Sequence, residues 1–433
     1  MHKLLLFFVC LCLTLLGCKQ EADVVITDPA ANPPNILLII ADDLGKDAIA
    51  GFAEGTIKPT TPHIDALRNA GLLFSNVWVY PTCSPTRASI ITGKYGYRTG
   101  VKWAGDALNS TENILPNYLQ SATSNRYATA VVGKWHLAGE GISNFNPETL
   151  GIDYYAGLLS GAAQSYTQWQ LSENGTNTSQ NTYITEKFTD LAINWVAAQE
   201  KPWFLWLAYT APHTPFHTPP ANMHTQGNLP DYTTGMDPTP YYMAAIEAMD
   251  FQIGRLLESL PAEERANTTI IFIGDNGTPN QVAQAPYTST TVKGSLFQGG
   301  INTPMFVAGA QVARVGTEAS LITGTDLFAT IAELAGVDLP EIYDSKSFKS
   351  LLTAAPATPL RDFQYSEKDD GTANSWTIRS AQYKLIVNAN GNNNFYDLNA
   401  DPYERVDLLA GTLSGAQMEA KAVLEAELDR IRN

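Results

Sequence analysis

Four apolar runs constrain this chain more than any other feature, because each one ends in polar or ionisable groups. Asn35-Ile36-Leu37-Leu38-Ile39-Ile40-Ala41 leads into Asp42-Asp43, and Tyr127 to Val132 leads into Gly133-Lys134-Trp135-His136. Trp203 to Ala208 leads into Thr210-Ala211-Pro212-His213, and Thr269 to Gly274 leads into Asp275-Asn276-Gly277. Continuous apolar runs of this kind read as strands buried on both faces of a mostly parallel sheet. In an open α/β sheet the carboxyl ends of the strands form the ligand-binding edge. Taken singly, each ending has a structural explanation: a helix cap at Asp42 or Asp43, a turn at Asp275-Asn276-Gly277, a hydrogen-bonded core histidine at His136. Four such endings on one edge point to a site.

Cysteine usage narrows the chemistry. Of the four cysteines, Cys10, Cys12 and Cys18 lie in an amino-terminal stretch with Lys3, an apolar run from Leu4 to Leu16, and then Gly17-Cys18. This reads as a signal peptide over 1–17, with an apolar region too short to span a bilayer. The small residue before Cys18 resembles a bacterial lipobox, which implies cleavage and lipidation at Cys18. A polar, proline-rich tether follows over 18–33. The expected location is therefore exported and lipid-anchored in a bacterial membrane, periplasmic or at the cell surface. Such a mature chain keeps one thiol, Cys83, and forms no internal disulfide, so stability must come from a large core.

The formal net charge of -16 leaves no basic surface for nucleic acid. Any anion site must be a local concentration of positive charge. Cys83 opens the run Cys83-Ser84-Pro85-Thr86-Arg87-Ala88-Ser89-Ile90-Ile91-Thr92-Gly93-Lys94. Pro85 suits the first turn of a helix, which places residue 83 near a helix N-terminus, where amides and the helix dipole favour an anion. There an unmodified thiol is expected to have a lowered pKa.

These residues are similar to those of the formylglycine-dependent sulfatases of the alkaline phosphatase superfamily. The resemblance runs from Pro34-Asn35-Ile36 through Thr61-Pro62-His63-Ile64-Asp65, the Cys83 run, Gly133-Lys134-Trp135-His136 and Ala211-Pro212-His213. It continues with Gly274-Asp275-Asn276-Gly277, Lys293-Gly294, Gly299-Gly300-Ile301 and Asn394-Phe395-Tyr396-Asp397-Leu398. It implies oxidation of Cys83 to formylglycine by a formylglycine-generating or sulfatase-maturating enzyme. It also implies a cation held by Asp42, Asp43, Asp275, Asn276 and residue 83. These oxygen donors suit Ca2+, and Mg2+ less well.

By the same resemblance, one hydroxyl of the aldehyde hydrate attacks sulfur and His213 protonates the departing alkoxide. His136 then takes the proton of the second hydroxyl, so that the ester collapses and releases sulfate. Arg87 helps hold the ionised hydroxyl, and Lys134 and Lys293 hold sulfate oxygens. The implied substrate is a sulfated polysaccharide or oligosaccharide. His217 is a candidate sugar contact, as are Lys102, Trp103, Tyr166, Trp169, His224 and Tyr287. Two departures stand out: Asn302 where many relatives carry arginine, and Thr278-Pro279 where a further glycine is common. Both are expected at the pocket rim. Alternative readings are a phosphoryl or phosphonate ester hydrolase of the same superfamily and a non-catalytic lipoprotein that binds sulfated glycan.

The expected architecture is a catalytic α/β domain over 34–354 with a large, mostly parallel (mixed) sheet flanked by helices, alkaline-phosphatase-like. A small C-terminal unit over 355–433 is expected to hold a short antiparallel sheet and a helix. That helix starts at Ser414 and presents Met418, Leu424, Leu428 and Ile431 on one face. Further helices are expected near 183–199 and 241–260.

Overall fold

The computed structural model describes residues 33–139 and 150–433. The expected signal peptide, Cys18 and nearly all of the tether lie outside the described residues. Ten strands form the main sheet: β1 (Asn35–Ala41), β2 (Leu72–Phe74), β3 (Ala128–Lys134), β4 (Tyr154–Leu158), β5 (Trp169–Glu173), β6 (Thr176–Gln180), β7 (Trp203–Ala208), β8 (Thr268–Gly274), β9 (Met305–Gly309) and β10 (Gly316–Glu318). Their spatial order is β10-β2-β9-β8-β1-β7-β3-β4-β5-β6. The central five, β8-β1-β7-β3-β4, are parallel, and the antiparallel pairings of β9, β5 and β6 make the whole sheet mixed.

All seven residues of β1 are buried. The two-residue period of a strand sends alternate side chains to opposite faces, and two cores result. Leu37 and Ile39 pack with Phe188, Met249 and Ile253 from α3 (Ile184–Ala197) and α4 (Thr239–Ser259). Ile36, Leu38 and Ile40 pack on the other face with Ala88, Ile90 and Ile91 from α2 (Cys83–Thr92). Each such side chain contributes about 1.5–3 kcal/mol on leaving water.

Helix α2 is buried along its whole length. Two of its polar residues are satisfied within the helix: Ser89 Oγ donates to the Thr86 carbonyl at 2.8 Å and Thr92 Oγ1 to the Ala88 carbonyl at 2.7 Å. The helix ends at Gly93, whose φ of 69° is the left-handed turn that glycine makes without strain. A helix buried along its whole length fixes the position of its first residue, Cys83.

The C-terminal unit holds β11 (Gln364–Asp369), β12 (Asn374–Arg379), β13 (Tyr383–Val387) and β14 (Asn394–Asp397), paired antiparallel in that order. Strand β11 has no apolar alternation and did not read as a strand. It docks by hydrogen bonds instead: Gln364 Nε2 donates to the Asn76 carbonyl at 2.9 Å, and Ser366 Oγ to the Val79 carbonyl at 2.8 Å. Helix α5 (Gly415–Arg432) starts at the expected Ser414, which forms a capping box with Gln417. Leu424, Leu428 and Ile431 are buried, whereas Met418 is 56% exposed, because the helix meets the sheet only from Ala420 onward. Buried Lys384 donates to the Leu296 carbonyl at 2.7 Å and pairs with Glu404, which accepts from the Gln298 amide at 2.6 Å. The small sheet thus grips the segment that follows Lys293.

Candidate active site

The strand ends do converge. Strand β1 delivers Asp42 and Asp43, both buried, and the chain turns sharply there, with Asp43 at φ 67°. The Asp42 amide donates to the Ala211 carbonyl at 3.1 Å, the Asp275 amide to the Ala41 carbonyl at 3.0 Å, and the Asp43 amide to Asp275 Oδ1 at 3.0 Å. These bonds stitch the ends of β7, β1 and β8 into one cluster. Strand β3 reaches further than the sequence indicated, so that Lys134 is its last residue.

Three cations meet three carboxylates here. Lys134 Nζ lies 2.6 Å from Asp42 Oδ2, and Lys293 Nζ lies 2.6 Å from Asp43. Arg87 Nη2 and Nε donate to Asp275 Oδ2 at 2.7 and 3.0 Å, and its Nη1 donates to the Lys134 carbonyl at 2.8 Å. Burial by itself would raise the Asp42 pKa, but Lys134 first, then His213, Arg87 and Lys293, hold it well below the usual carboxylate range. Asp275 goes the other way, to about 6, because burial and the neighbouring Asp42 outweigh Arg87. Burial disfavours the Lys293 ammonium, yet Asp43 raises its pKa above the usual lysine value.

Cys83 is the first residue of α2 and is 2% exposed. The expectation of a lowered thiol pKa is overturned: burial pushes it up to about 12, and Lys134 opposes this only in part. An unmodified thiol here stays protonated at neutral pH and is a poor nucleophile. Its Sγ marks where the first atom beyond Cβ sits in whatever species residue 83 becomes.

One ligand atom from each of Asp42, Asp43, Cys83 and His213 lies within 4.8 Å of the others, a spacing that can hold a metal ion. Two buried oxygens beside this cluster, Asp42 Oδ1 and Asn276 Oδ1, have no hydrogen-bond partner among the described residues. Leaving such an acceptor unpaired costs about 1–3 kcal/mol; Asp42 Oδ1 has only Arg87 Nη2 at 3.9 Å, so buried oxygens left without donors fit a bound cation. His213 joins this group, which the sequence did not indicate. Its Nε2 is 3.6 Å from Asp43 Oδ2, and its Nδ1–H donates to the Thr214 carbonyl at 2.7 Å. Asp275 has both oxygens engaged, by the Asp43 amide and Arg87, and Asn276 Nδ2 donates to Asp43 Oδ1 at 2.8 Å.

His136, at φ 56°, is depressed to about 2 by burial and then by Lys134 and Arg87. Its Nδ1 has no partner among the described residues. The ring lies against Gly161, where an added Cβ would stand 2.1 Å from Nε2. Ser84 Oγ donates to the His136 carbonyl at 2.9 Å and accepts from the Gly105 amide at 3.0 Å, tying the start of α2 to two loops.

Two family models match this chain: "Sulfatase" over residues 34–337 and "N-sulphoglucosamine sulphohydrolase, C-terminal" over residues 292–433. The chain belongs to the sulfatase family. Among relatives of this chain, the uncharacterized sulfatase YdeN of Escherichia coli (strain K12) is 28% identical over 370 residues, covering 71% of this chain and 63% of YdeN. Arylsulfatase A of Homo sapiens is 25% identical over 458 residues, covering 91% of this chain and 87% of the relative. The structure of Ps i-CgsB in complex with k-i-k-neocarrahexaose superposes with a TM-score of 0.78 at 24% identity, covering 92% of each chain. That of BT4656 in complex with its substrate D-glucosamine-2-N,6-O-disulfate superposes with a TM-score of 0.76 at 22% identity, covering 93% of this chain and 98% of BT4656. Both likenesses are of fold.

Several expectations change. Thr278 does not stand at a pocket rim, and Asn302 lines a cavity with Lys46, Tyr287 and Gln298 that does not include Cys83 or its charged neighbours. Asn302 Oδ1 accepts from Lys46 Nζ at 2.7 Å and from the Val77 amide at 3.1 Å. Thr278 is fully buried, accepts from the Gly45 amide at 3.2 Å and donates to Asp47. Both brace the loop after Asp43. His217 is no free sugar contact, since Tyr183 Oη lies 2.9 Å from its Nε2 and the Pro215 carbonyl 2.9 Å from its Nδ1. Tyr166, Trp169 and Tyr287 are buried. Tyr242, which donates to the Asp43 carbonyl at 2.7 Å, carried no signal in the sequence: it is one tyrosine in an amphipathic helix.

Proposed function

We propose that this protein hydrolyses sulfate esters on carbohydrate to alcohol and inorganic sulfate, with residue 83 acting as formylglycine. The observation that carries this is the packing of three buried carboxylates, three cations and two histidines around the first residue of a buried helix, in a chain of the sulfatase family. Asp42, Asp43 and Asp275 balance Arg87, Lys134 and Lys293. A divalent cation, when bound, would balance an ionised hydroxyl together with a singly charged sulfate monoester.

Asp42, Asp43, Asp275 and Asn276 would hold the cation together with residue 83, with His213 beside them; oxygen donors favour Ca2+. Such an ion supplies a Lewis acid that favours the ionised hydroxyl and takes up charge at sulfate oxygen. The buried first turn of α2 offers backbone amides to the anion. Lys134 and Lys293 exchange part of their carboxylate contact for sulfate oxygens, and Arg87 keeps Asp275 and the end of β3 in place. A hydroxyl on residue 83 attacks sulfur while His213 gives a proton to the alkoxide as the S–O bond breaks. His136, neutral in its buried pocket, takes the proton of the second hydroxyl, and the C–O bond to sulfate breaks as the aldehyde re-forms.

The D-glucosamine-2-N,6-O-disulfate that BT4656 holds as its substrate supports a sulfated sugar as the class, and the k-i-k-neocarrahexaose complex of Ps i-CgsB supports a carbohydrate. The Gly17-Cys18 boundary supports export with a lipid anchor. The chemistry also requires a maturating enzyme as partner.

Purified protein from the native host, assayed on aryl sulfate, aryl phosphate, aryl phosphodiester and defined sulfated oligosaccharides, is expected to release sulfate by far the fastest. A preference for phosphate would overturn the reading. Mass spectrometry of the peptide spanning residue 83 should show the aldehyde, and intact cysteine in active enzyme would exclude this mechanism. A Cys18→Ser variant should move from the membrane to the soluble fraction.

A further inference from the structure

His213 is held from behind by a closed set of contacts. The Tyr166 hydroxyl lies 2.7 Å from the His213 carbonyl and 2.9 Å from that of Thr210, and its single proton serves one of them at a time. The His217 ring stacks on the Tyr166 ring, with centroids 3.7 Å apart and planes 20° from parallel. A carbonyl only accepts, so His217 Nδ1 must be the protonated nitrogen that donates to Pro215 at 2.9 Å. His217 Nε2 is then an acceptor and takes the Tyr183 hydroxyl proton at 2.9 Å. The same logic assigns the proton on His213 Nδ1, which donates to Thr214. The path closes: from the His213 carbonyl to Tyr166, across the stack to His217, to Pro215, and back along the chain to the acceptor of the His213 ring.

Neither aromatic group offers substrate a free hydrogen-bonding atom. Tyr166 is 2% exposed and both nitrogens of His217 are engaged. The chain nevertheless places hydrogen-bonding side chains on each side of the dipeptide that follows His213. A carbonyl clamp at residue 213 and a second at residue 215 fix the backbone on both sides of the Thr214 oxygen, and that oxygen sets the rotation of the imidazole. Rotation of the ring about its Cβ–Cγ bond would move Nε2 away from Asp43 Oδ2, its neighbour at 3.6 Å.

We propose that Tyr166 and His217 are positioning residues for His213, holding its Nε2 turned toward Asp43 and residue 83. This rests on the reading of His213 as the acid that protonates the leaving group. A misaligned acid matters most where the leaving group needs a proton most, so the signature lies in leaving-group dependence rather than in overall rate.

The test uses the full, matured protein and a series of aryl sulfates from nitrophenyl to methoxyphenyl. Tyr166→Phe keeps the stack and removes the hydroxyl; His217→Phe keeps a ring and removes both hydrogen bonds. For Tyr166→Phe, kcat is expected to fall about ten-fold or more on methoxyphenyl sulfate but less than about three-fold on nitrophenyl sulfate, with KM little changed. In the His213→Ala background the Tyr166 change should cost nothing further, as required of residues acting through one group. An equal loss along the whole series, or the same loss with and without His213, overturns the proposal. Should His213→Ala itself leave the series flat, the acid assignment fails and the proposal falls with it, a result separable from the first two. If His217→Phe does not fold, Tyr166→Phe and its double variant still decide.

Discussion

Lys134 and Asp42 form a 2.6 Å ion pair in which neither side chain has any exposed surface. The pair joins the ends of β3 and β1 across β7, which lies between them. Removing one member of such a pair leaves an uncompensated buried charge, at a cost of about 3–5 kcal/mol. Lys134→Ala should lower stability by that amount and abolish turnover. Chemical denaturation of metal-free protein checks the first part, and a variant as stable as the parent would show that water reaches the site.

The orphan oxygens of Asp42 and Asn276 make metal removal informative. Chelation should lower the melting temperature, and calcium should restore it. At a free concentration a thousand-fold above Kd, binding adds about 4 kcal/mol. Asn276→Ala should weaken this response without removing Arg87 or Lys134 from their partners. A melting curve indifferent to both chelator and calcium would remove the cation from the site.

The parallel centre of the sheet and the cluster at its edge were legible because each strand carries its own signature: an apolar run followed by a group that apolar strands do not otherwise need. Lys134, His136 and His213 were readable for the same reason, whereas Cys83 and Arg87 stood out through the run that opens at Cys83, and Lys293 through the family resemblance alone. The roles of His217, Asn302 and Thr278 were not, because whether a polar side chain faces ligand or braces a loop depends on partners remote in sequence. Asn302 meets Lys46 across 256 positions and Thr278 meets Asp47 across 231. The thiol pKa was misread on similar grounds, since a helix terminus is visible in sequence and the depth of its burial is not.

Asn302 allows a direct test of that reading. Lys46 is depressed to about 7 by burial, and its ammonium rests on the Asn302 amide oxygen and the Ser75 carbonyl. Asn302→Arg, the residue found in many relatives, would place a second cation where the first is already poorly solvated. It should destabilise by about 2–4 kcal/mol, against the usual trend of substitutions toward a family's common residue. Recovery in an Asn302→Arg/Lys46→Met double variant would locate the effect at that contact.

Helix α1 (Pro62–Ala70) has no cap from its own N-cap residue, Thr61. Asp250 on α4 supplies one, accepting from the Ile64 amide at 2.7 Å and the His63 amide at 3.3 Å. Burial raises its pKa from 3.8 to about 6 despite those bonds. Between those values the folded state binds the proton and the unfolded chain does not, so stability falls as pH rises through that window and levels off above it. Asp250→Asn keeps an oxygen for the cap and removes this titration. Its urea midpoint should be flatter across the window than the parent's, and a slope identical to the parent's would place the titrating group elsewhere.

Gly161 offers the most local test of His136. The φ of this glycine is not positive, so the objection to a larger residue is contact: a Cβ would stand 2.1 Å from His136 Nε2, far inside van der Waals range. Gly161→Ala must move the imidazole, the loop or both. Because His136 is proposed to act after sulfate has been transferred to residue 83, its displacement should leave the first step intact and slow the second. Rapid mixing with nitrophenyl sulfate should then show a burst of nitrophenol followed by a steady rate reduced about ten-fold or more, with the sulfated enzyme visible by intact mass. A uniform fall in both phases would instead mean that the ring supports the first step, and the division of labour between His136 and His213 would have to be redrawn.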